Sequence, residues 1–167
     1  VNTGEKPAIY PSEGGGHEEK RTGQSIDCSV TIENGWAKAG EFSLNIQGFQ
    51  LIPHISQVQN FYSPIEIEEI YNCELEDLLK DVTGASRVVI FDHTFRADSK
   101  SVREKRKIRE PSETVHNDYT EASAVQRVRD LFPPGEARRL LNKRFAIINV
   151  WRPVSYTHLT LPTILLV

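Results

Sequence analysis

The 167-residue chain contains no methionine, only two cysteines, few aromatics (8%) and no long hydrophobic run. Cys28 and Cys73 have neither C-x-x-C spacing nor disulfide density, so they read as free thiols in a reducing compartment. No stretch approaches the roughly 18 apolar residues that span a bilayer, and no signal-peptide pattern opens the chain. No membrane partner is therefore expected, and a cytoplasmic location is the default. A net charge of −3 argues against nucleic acid as the main partner. The absence of methionine, with a start on Val1, reads as a front end that is cut. What remains is ordinary for one soluble globular domain, 38% apolar and 26% charged.

Residues 1–25 carry Gly14-Gly15-Gly16 and many charges without a hydrophobic period, and read as a loose lead-in. Cys28 to Ile32 has strand composition, with a turn signal at Asn34-Gly35. A further strand pair is expected over Phe42 to Ile46 and Phe49 to Ile52, broken at Gly48. From Pro64 the apolar positions Ile65, Ile67, Ile70, Tyr71, Leu75, Leu78, Leu79 and Val82 fall largely on a helical stripe. Ser63 supplies the N-cap, Pro64 the first-turn proline and Gly84 the stop.

Arg87 to Asp92 reads as a buried strand that delivers His93 and Arg96 at its exit. Residues 97–112 are rich in Lys and Arg, but acids are interleaved at Asp98, Glu104 and Glu110 and no aromatic is present to stack a base. A solvated loop or lid is the expectation. Helices are predicted over Glu121 to Phe132, capped by Thr120 and ended by Pro133-Pro134-Gly135, and over Glu136 to Lys143. A strand from Phe145 to Trp151 follows. Strands, a long helix and strands split by helices, with no regular βαβ alternation, predict an α+β arrangement on a mostly antiparallel sheet.

The chemistry-bearing motif is Val115-His116-Asn117-Asp118. On a strand, residues two apart share a face, so His116 and Asp118 aim an imidazole and a carboxylate at one point. These are two thirds of a 2-His-1-carboxylate iron site. By spacing alone, a hydrogen-bonded pair on a surface strand is the favoured explanation. Asn117 and Tyr119 fall on the opposite face as packing or solvent-facing groups. His17 and His54 have no partner at metal-binding spacing.

Several blocks together resemble the iron(II)/2-oxoglutarate-dependent oxygenases of secondary metabolism, a family of fungal hydroxylase/desaturases, the gibberellin desaturase, endoperoxide-forming meroterpenoid oxygenases and a component of cephamycin methoxylation. They are Phe42-Ser43-Leu44 through Gly48-Phe49, Thr83-Gly84-Ala85-Ser86-Arg87-Val88-Val89-Ile90-Phe91-Asp92-His93-Thr94, Val115 to Asp118, and Arg144 through Ile147-Ile148-Asn149-Val150-Trp151-Arg152-Pro153. The resemblance implies a double-stranded β-helix, or jelly roll, with flanking helices, here incomplete and truncated at both ends. It implies Fe(II) as the metal, 2-oxoglutarate as cosubstrate and a small secondary metabolite as substrate. His116 and Asp118 become metal ligands. The distal histidine and the basic partner of the far 2-oxoglutarate carboxylate are expected from C-terminal strands. Asn149, Trp151 and Arg152 are candidates for cosubstrate binding, with Asn149 and Trp151 on one strand face and Arg152 on the other. His93 and Arg96 are candidates to line the mouth on the substrate side. The alternative from a different class is a non-catalytic, cupin-like binding module in which His116 and Asp118 are structural.

Val154-Ser155-Tyr156-Thr157-His158-Leu159-Thr160-Leu161-Pro162-Thr163 resembles one reading frame of an adapter used to prepare sequencing libraries. Residues 154–167 are accordingly expected to be a non-native tail, and His158 is not counted as a ligand. The expected organisation is a lead-in (1–25), the N-terminal part of an oxygenase domain (26–153) and that tail. A chain so truncated is expected to be inactive as an oxygenase.

Overall fold

The computed structural model describes residues 8–10, 20–22, 26–112 and 116–154. Val115, His17 and the tail from Ser155 onward, His158 included, lie outside the described residues. The chain divides into two compact units, Val1–Lys38 and Ala39–Val167. In the first, β1 (Ala8–Tyr10) pairs antiparallel with β2 (Lys20–Thr22), with Ile9 opposite Arg21.

The second unit is organised by one helical run in three parts: α1 (Pro64–Glu66), a π-helical turn over Ile67–Tyr71, and α2 (Asn72–Thr83). Its start and stop follow the sequence signals. Ser63 is extended and its hydroxyl accepts from the Glu66 N–H, with Pro64 occupying the first turn where no N–H is needed. Gly84 adopts the left-handed conformation (φ 67°), and its N–H closes on the Lys80 carbonyl at 2.8 Å. Ile67, Tyr71, Leu75 and Leu79 recur every fourth residue and are all buried. Ile65, at 65% exposed, stands off that stripe.

Extended segments pack on this face. Val58, Phe61, Ile90, Phe95 and Val150 surround Ile67, Tyr71 and Leu75, while Leu44, Ile52, Val88, Ile90, Ile148 and Val150 surround Leu79. The period of two survives in burial: Val88 and Ile90 face the helix while Val89 and Phe91 are exposed. The backbone of residues 57–60 is tied to helix carboxylates rather than to another strand. Glu74 accepts from the Gln57 N–H (2.7 Å) and the Ser56 hydroxyl (2.6 Å), and Glu66 accepts from the Gln59 and Asn60 N–H groups (2.7 and 3.0 Å).

The α+β sheet and the jelly roll expected from sequence are overturned. Among the described residues the strands are β1 and β2 alone, three residues each, and the rest is helix and coil. The segments Cys28 to Ile32, Arg87 to Asp92 and Phe145 to Trp151 form no strands, and Phe42 to Ile46 holds a turn in which the Gln47 N–H returns to the Ser43 carbonyl at 3.0 Å. The reason is physical: β-propensity records a fit to a pleated, half-buried surface, and a strand exists only with a hydrogen-bonded neighbour. Among the described residues, Arg87 to Asp92 and Phe145 to Trp151 pack on a helix face and form no ladder, while Cys28 to Ile32 stands exposed.

Residues 97–112, expected as a loop or lid, contain α3 (Lys100–Arg106), which ends on Lys107 in the left-handed conformation. An isolated parallel bridge from Arg96 to Arg109 closes the excursion, and the Arg106 guanidinium lies 3.6 Å over the Tyr62 ring. Then α4 (Glu121–Leu131) opens with a capping box between Thr120 and Ser123, and α5 (Pro134–Leu141) packs back on it, burying Val128 and Ala137. Among the described residues no helix is long and apolar enough to cross a membrane.

Leu75→Ala is expected to lower the unfolding free energy by about 3 kcal/mol through the cavity it leaves. The same truncation at exposed Ile65 should cost no more than about 0.5 kcal/mol. Urea denaturation followed by circular dichroism checks both.

Candidate metal centre

His116 and Asp118 sit in a coil segment with a bend at Asp118, and the structure still brings them together. His116 Nε2 stands 3.3 Å from Asp118 Oδ1, with both side chains 46% exposed. The second carboxylate oxygen, Oδ2, accepts from Asn149 Nδ2 at 2.5 Å. Neighbouring donors on an ion with bonds of about 2.1 Å at right angles lie about 3 Å apart. The imidazole and carboxylate therefore fit as two adjacent ligands of one ion. No group of three or more His, Cys, Asp or Glu able to hold a metal occurs among the described residues.

Two neighbouring segments hold the motif in place. Tyr119 meets Phe91 edge-on (centroids 6.3 Å apart), and Arg127 from α4 donates to the Tyr119 hydroxyl at 2.9 Å while lying 5.5 Å over the Phe91 ring. On the other side runs residues 145–152. Ile148 and Val150 enter the core, which leaves Asn149 to meet Asp118 and Trp151 54% exposed. Arg152, on the helix-facing side, does not approach Asp118. It bonds the His54 ring nitrogen Nδ1, lies 3.5 Å from the His54 carbonyl, and sits 5.7 and 5.6 Å from the Phe61 and Tyr71 ring centroids. Its buried Nε has no hydrogen-bond partner among the described residues.

The two substrate-side candidates are placed apart from each other in role. His93 Nε2 bonds Asn72 Oδ1 at 2.8 Å and its ring packs 6.1 Å from Tyr71. Because an amide oxygen only accepts, Nε2 carries the proton and Nδ1 is the acceptor. Arg96 Nη1 donates to the Glu110 carbonyl at 3.0 Å and ties the α3 excursion shut.

Sequence reasoning passed over His54, Asn72 and Tyr71. The partners of His54 and Asn72 lie 98 and 21 residues away, and no local pattern encodes them. Tyr71 ends the π-helical turn and Asn72 follows it, a conformation frequent at functional sites that the sequence does not signal. Burial holds both His54 and His93 below the usual histidine range. Arg152 adds to the effect at His54 against opposition from Glu74, and Asp92 opposes it at His93. Burial pushes the Tyr71 phenol up, with the Arg152 guanidinium working against it.

A family model described as an oxidoreductase/YMDC permease-like domain matches residues 1–165. The hydroxylase/desaturase CTB9 of Cercospora beticola is 35% identical over 137 residues, covering 75% of this chain and 42% of that protein. The hydroxylase/desaturase efuI of Hormonema carpetanum is 33% identical over 137 residues, 75% of this chain and 46% of its own length. The Fe(II)/2-oxoglutarate-dependent dioxygenase nvfI of Aspergillus novofumigatus is 33% identical over 130 residues, 75% of this chain and 45% of its own length. The chain thus spans less than half the length of each of these relatives.

A histidine whose folded pKa is depressed takes up its proton more readily in the unfolded chain. The stability contributed by neutral His54 and His93 is therefore present above the ordinary value of 6.5 and is lost as the pH falls through their folded values. Urea midpoints measured at about pH 7.5 and about pH 5.5, either side of the histidine range, should separate. His54→Gln and His93→Gln are each expected to narrow that separation.

Proposed function

Because the chain belongs to the oxidoreductase family represented by the fungal hydroxylase/desaturases and Fe(II)/2-oxoglutarate-dependent dioxygenases, we propose that it carries part of the iron site of an oxygenase acting on a small secondary metabolite. The observation that carries the reading is the 3.3 Å approach of His116 Nε2 to Asp118 Oδ1, an imidazole nitrogen and a carboxylate oxygen side by side, donor types that suit Fe(II). His116 and Asp118 hold the metal. Bound iron, with 2-oxoglutarate and O2, supplies the oxidising power to remove a hydrogen atom from the substrate.

The remaining residues bind and orient. Exposed Trp151, on the same side of its segment as Asn149, borders the cosubstrate and offers an apolar wall that keeps water from it. His93, held through Nε2 by Asn72, presents Nδ1 as an acceptor for a substrate hydroxyl. Arg96 secures residues 97–110 beside it.

Co(II), a redox-stable stand-in for Fe(II), tests this reading on the purified chain. One equivalent is expected to bind weakly, with a visible absorption change lost in both His116→Ala and Asp118→Ala. Adding 2-oxoglutarate to the loaded chain is expected to perturb that absorption. Binding that survives both substitutions, or no response to 2-oxoglutarate, overturns the proposal and favours a non-catalytic binding role.

A further inference from the structure

The two oxygens of the Asp118 carboxylate are not equivalent. Oδ1 faces His116 Nε2 at 3.3 Å, whereas Oδ2 accepts from Asn149 Nδ2 at 2.5 Å. Opposite an ionised carboxylate only the NH2 side of an asparagine can bond, so the polarity of this contact is fixed. Left alone, a carboxylate binds a cation through one oxygen or through both. We infer that Asn149 is a positioning residue of the iron site: its amide reserves Oδ2, so that Asp118 presents Oδ1 alone beside His116. This rests on the reading of His116 and Asp118 as iron ligands and deepens it.

The aim of the Asn149 amide is set by packing rather than by chance. On either side of it, Ile148 and Val150 are packed into the helix-facing core. Two residues further on, the Arg152 guanidinium is lodged by the rings of Phe61 and Tyr71 and bonded to His54. With Ile148, Val150 and Arg152 committed to one side, the intervening Asn149 is presented to the other, where Asp118 stands. The functional gain is a free position. A facial iron site must keep places for a chelating cosubstrate and for O2, and a carboxylate using both oxygens takes one of them. Arg152 thus serves the site at one remove, by fixing the segment from which Asn149 reaches.

Two measurements test the inference. The first is made on the metal-free chain by NMR of the Asn149 side-chain amide. One proton is expected to be shifted well away from the free-amide position, to return to it in Asp118→Ala, and to stay shifted in His116→Ala. The second is the Co(II) titration of Asn149→Leu, close in volume but without a donor. Its affinity is expected to fall about 10- to 100-fold, the usual effect of losing a hydrogen bond to a metal ligand. The Co(II) absorption should also change shape and 2-oxoglutarate should bind the loaded chain more weakly, readouts that mere loosening of the fold does not move. Asn149→Ala, which adds no bulk, is the second variant should the leucine disturb folding. An unshifted amide in the unsubstituted chain, or leucine and alanine variants with wild-type Co(II) affinity and absorption, overturns the role of Asn149. A wild-type chain that binds no Co(II) overturns the iron reading instead, and the amide shift identifies which of the two has failed.

Discussion

The face of the long helix formed by Ile67, Tyr71, Leu75 and Leu79 is the constraint on which the second unit depends. Extended segments ordinarily find order in one another, through ladders of backbone hydrogen bonds. Here they find it in a helix. Residues 87–92 and 145–152 each commit alternate side chains to that face, Val88 and Ile90 from one, Ile148 and Val150 from the other. Residues 56–60 go further and hand backbone N–H groups to the Glu66 and Glu74 carboxylates. Once the inward residues are committed, the outward ones are no longer free to choose, and Asn149 is among them.

Arg152 shows what this arrangement costs and why arginine suits the position. Its guanidinium leaves water to sit by two aromatic rings, and its Nε is buried without a partner among the described residues. An unpaired buried donor costs about 1–3 kcal/mol. The planar cation offsets that by its attraction to the ring faces and by its contact with His54. A lysine has a point charge in place of the fork and cannot lie flat on the rings while reaching both the ring nitrogen and the carbonyl of His54.

The parts of the structure legible in the sequence are those governed by interactions within a few residues. The Ser63 cap, the Gly84 stop, the Thr120 cap and the helical stripe are local, and the helices begin and end close to where those signals fall. The sheet was not legible because pairing is decided elsewhere in the chain. Val88 and Ile90 have the composition of a strand whether they meet another strand or a helix, and burial alternation is the same in both cases. The candidate site divides along the same line. His116 and Asp118 are two residues apart and the motif announces them, although they meet across a bend and not on a strand face. The Asn149 bond spans 31 residues, and the Arg152 contact with His54 spans 98. Arg152 read as a candidate for cosubstrate binding, and nothing in the sequence signals that His54 stands beside it.

The exposure of the two donors decides what holds them together. An ion pair in water is worth about 0–1 kcal/mol, because screening and side-chain entropy consume most of the Coulomb gain. At 46% exposure on both sides, the contact between His116 and Asp118 cannot fix its own geometry. The order must be imported. On one flank Tyr119 is clasped by Phe91 and Arg127, so the backbone beside Asp118 is anchored to residues 87–92 and to α4. On the other, Asn149 brings the rigidity of a segment packed on the long helix. A site as open as the one proposed cannot bury its own ligands, and the pair of His116 and Asp118 draws its order from apolar contacts placed one residue away on either side.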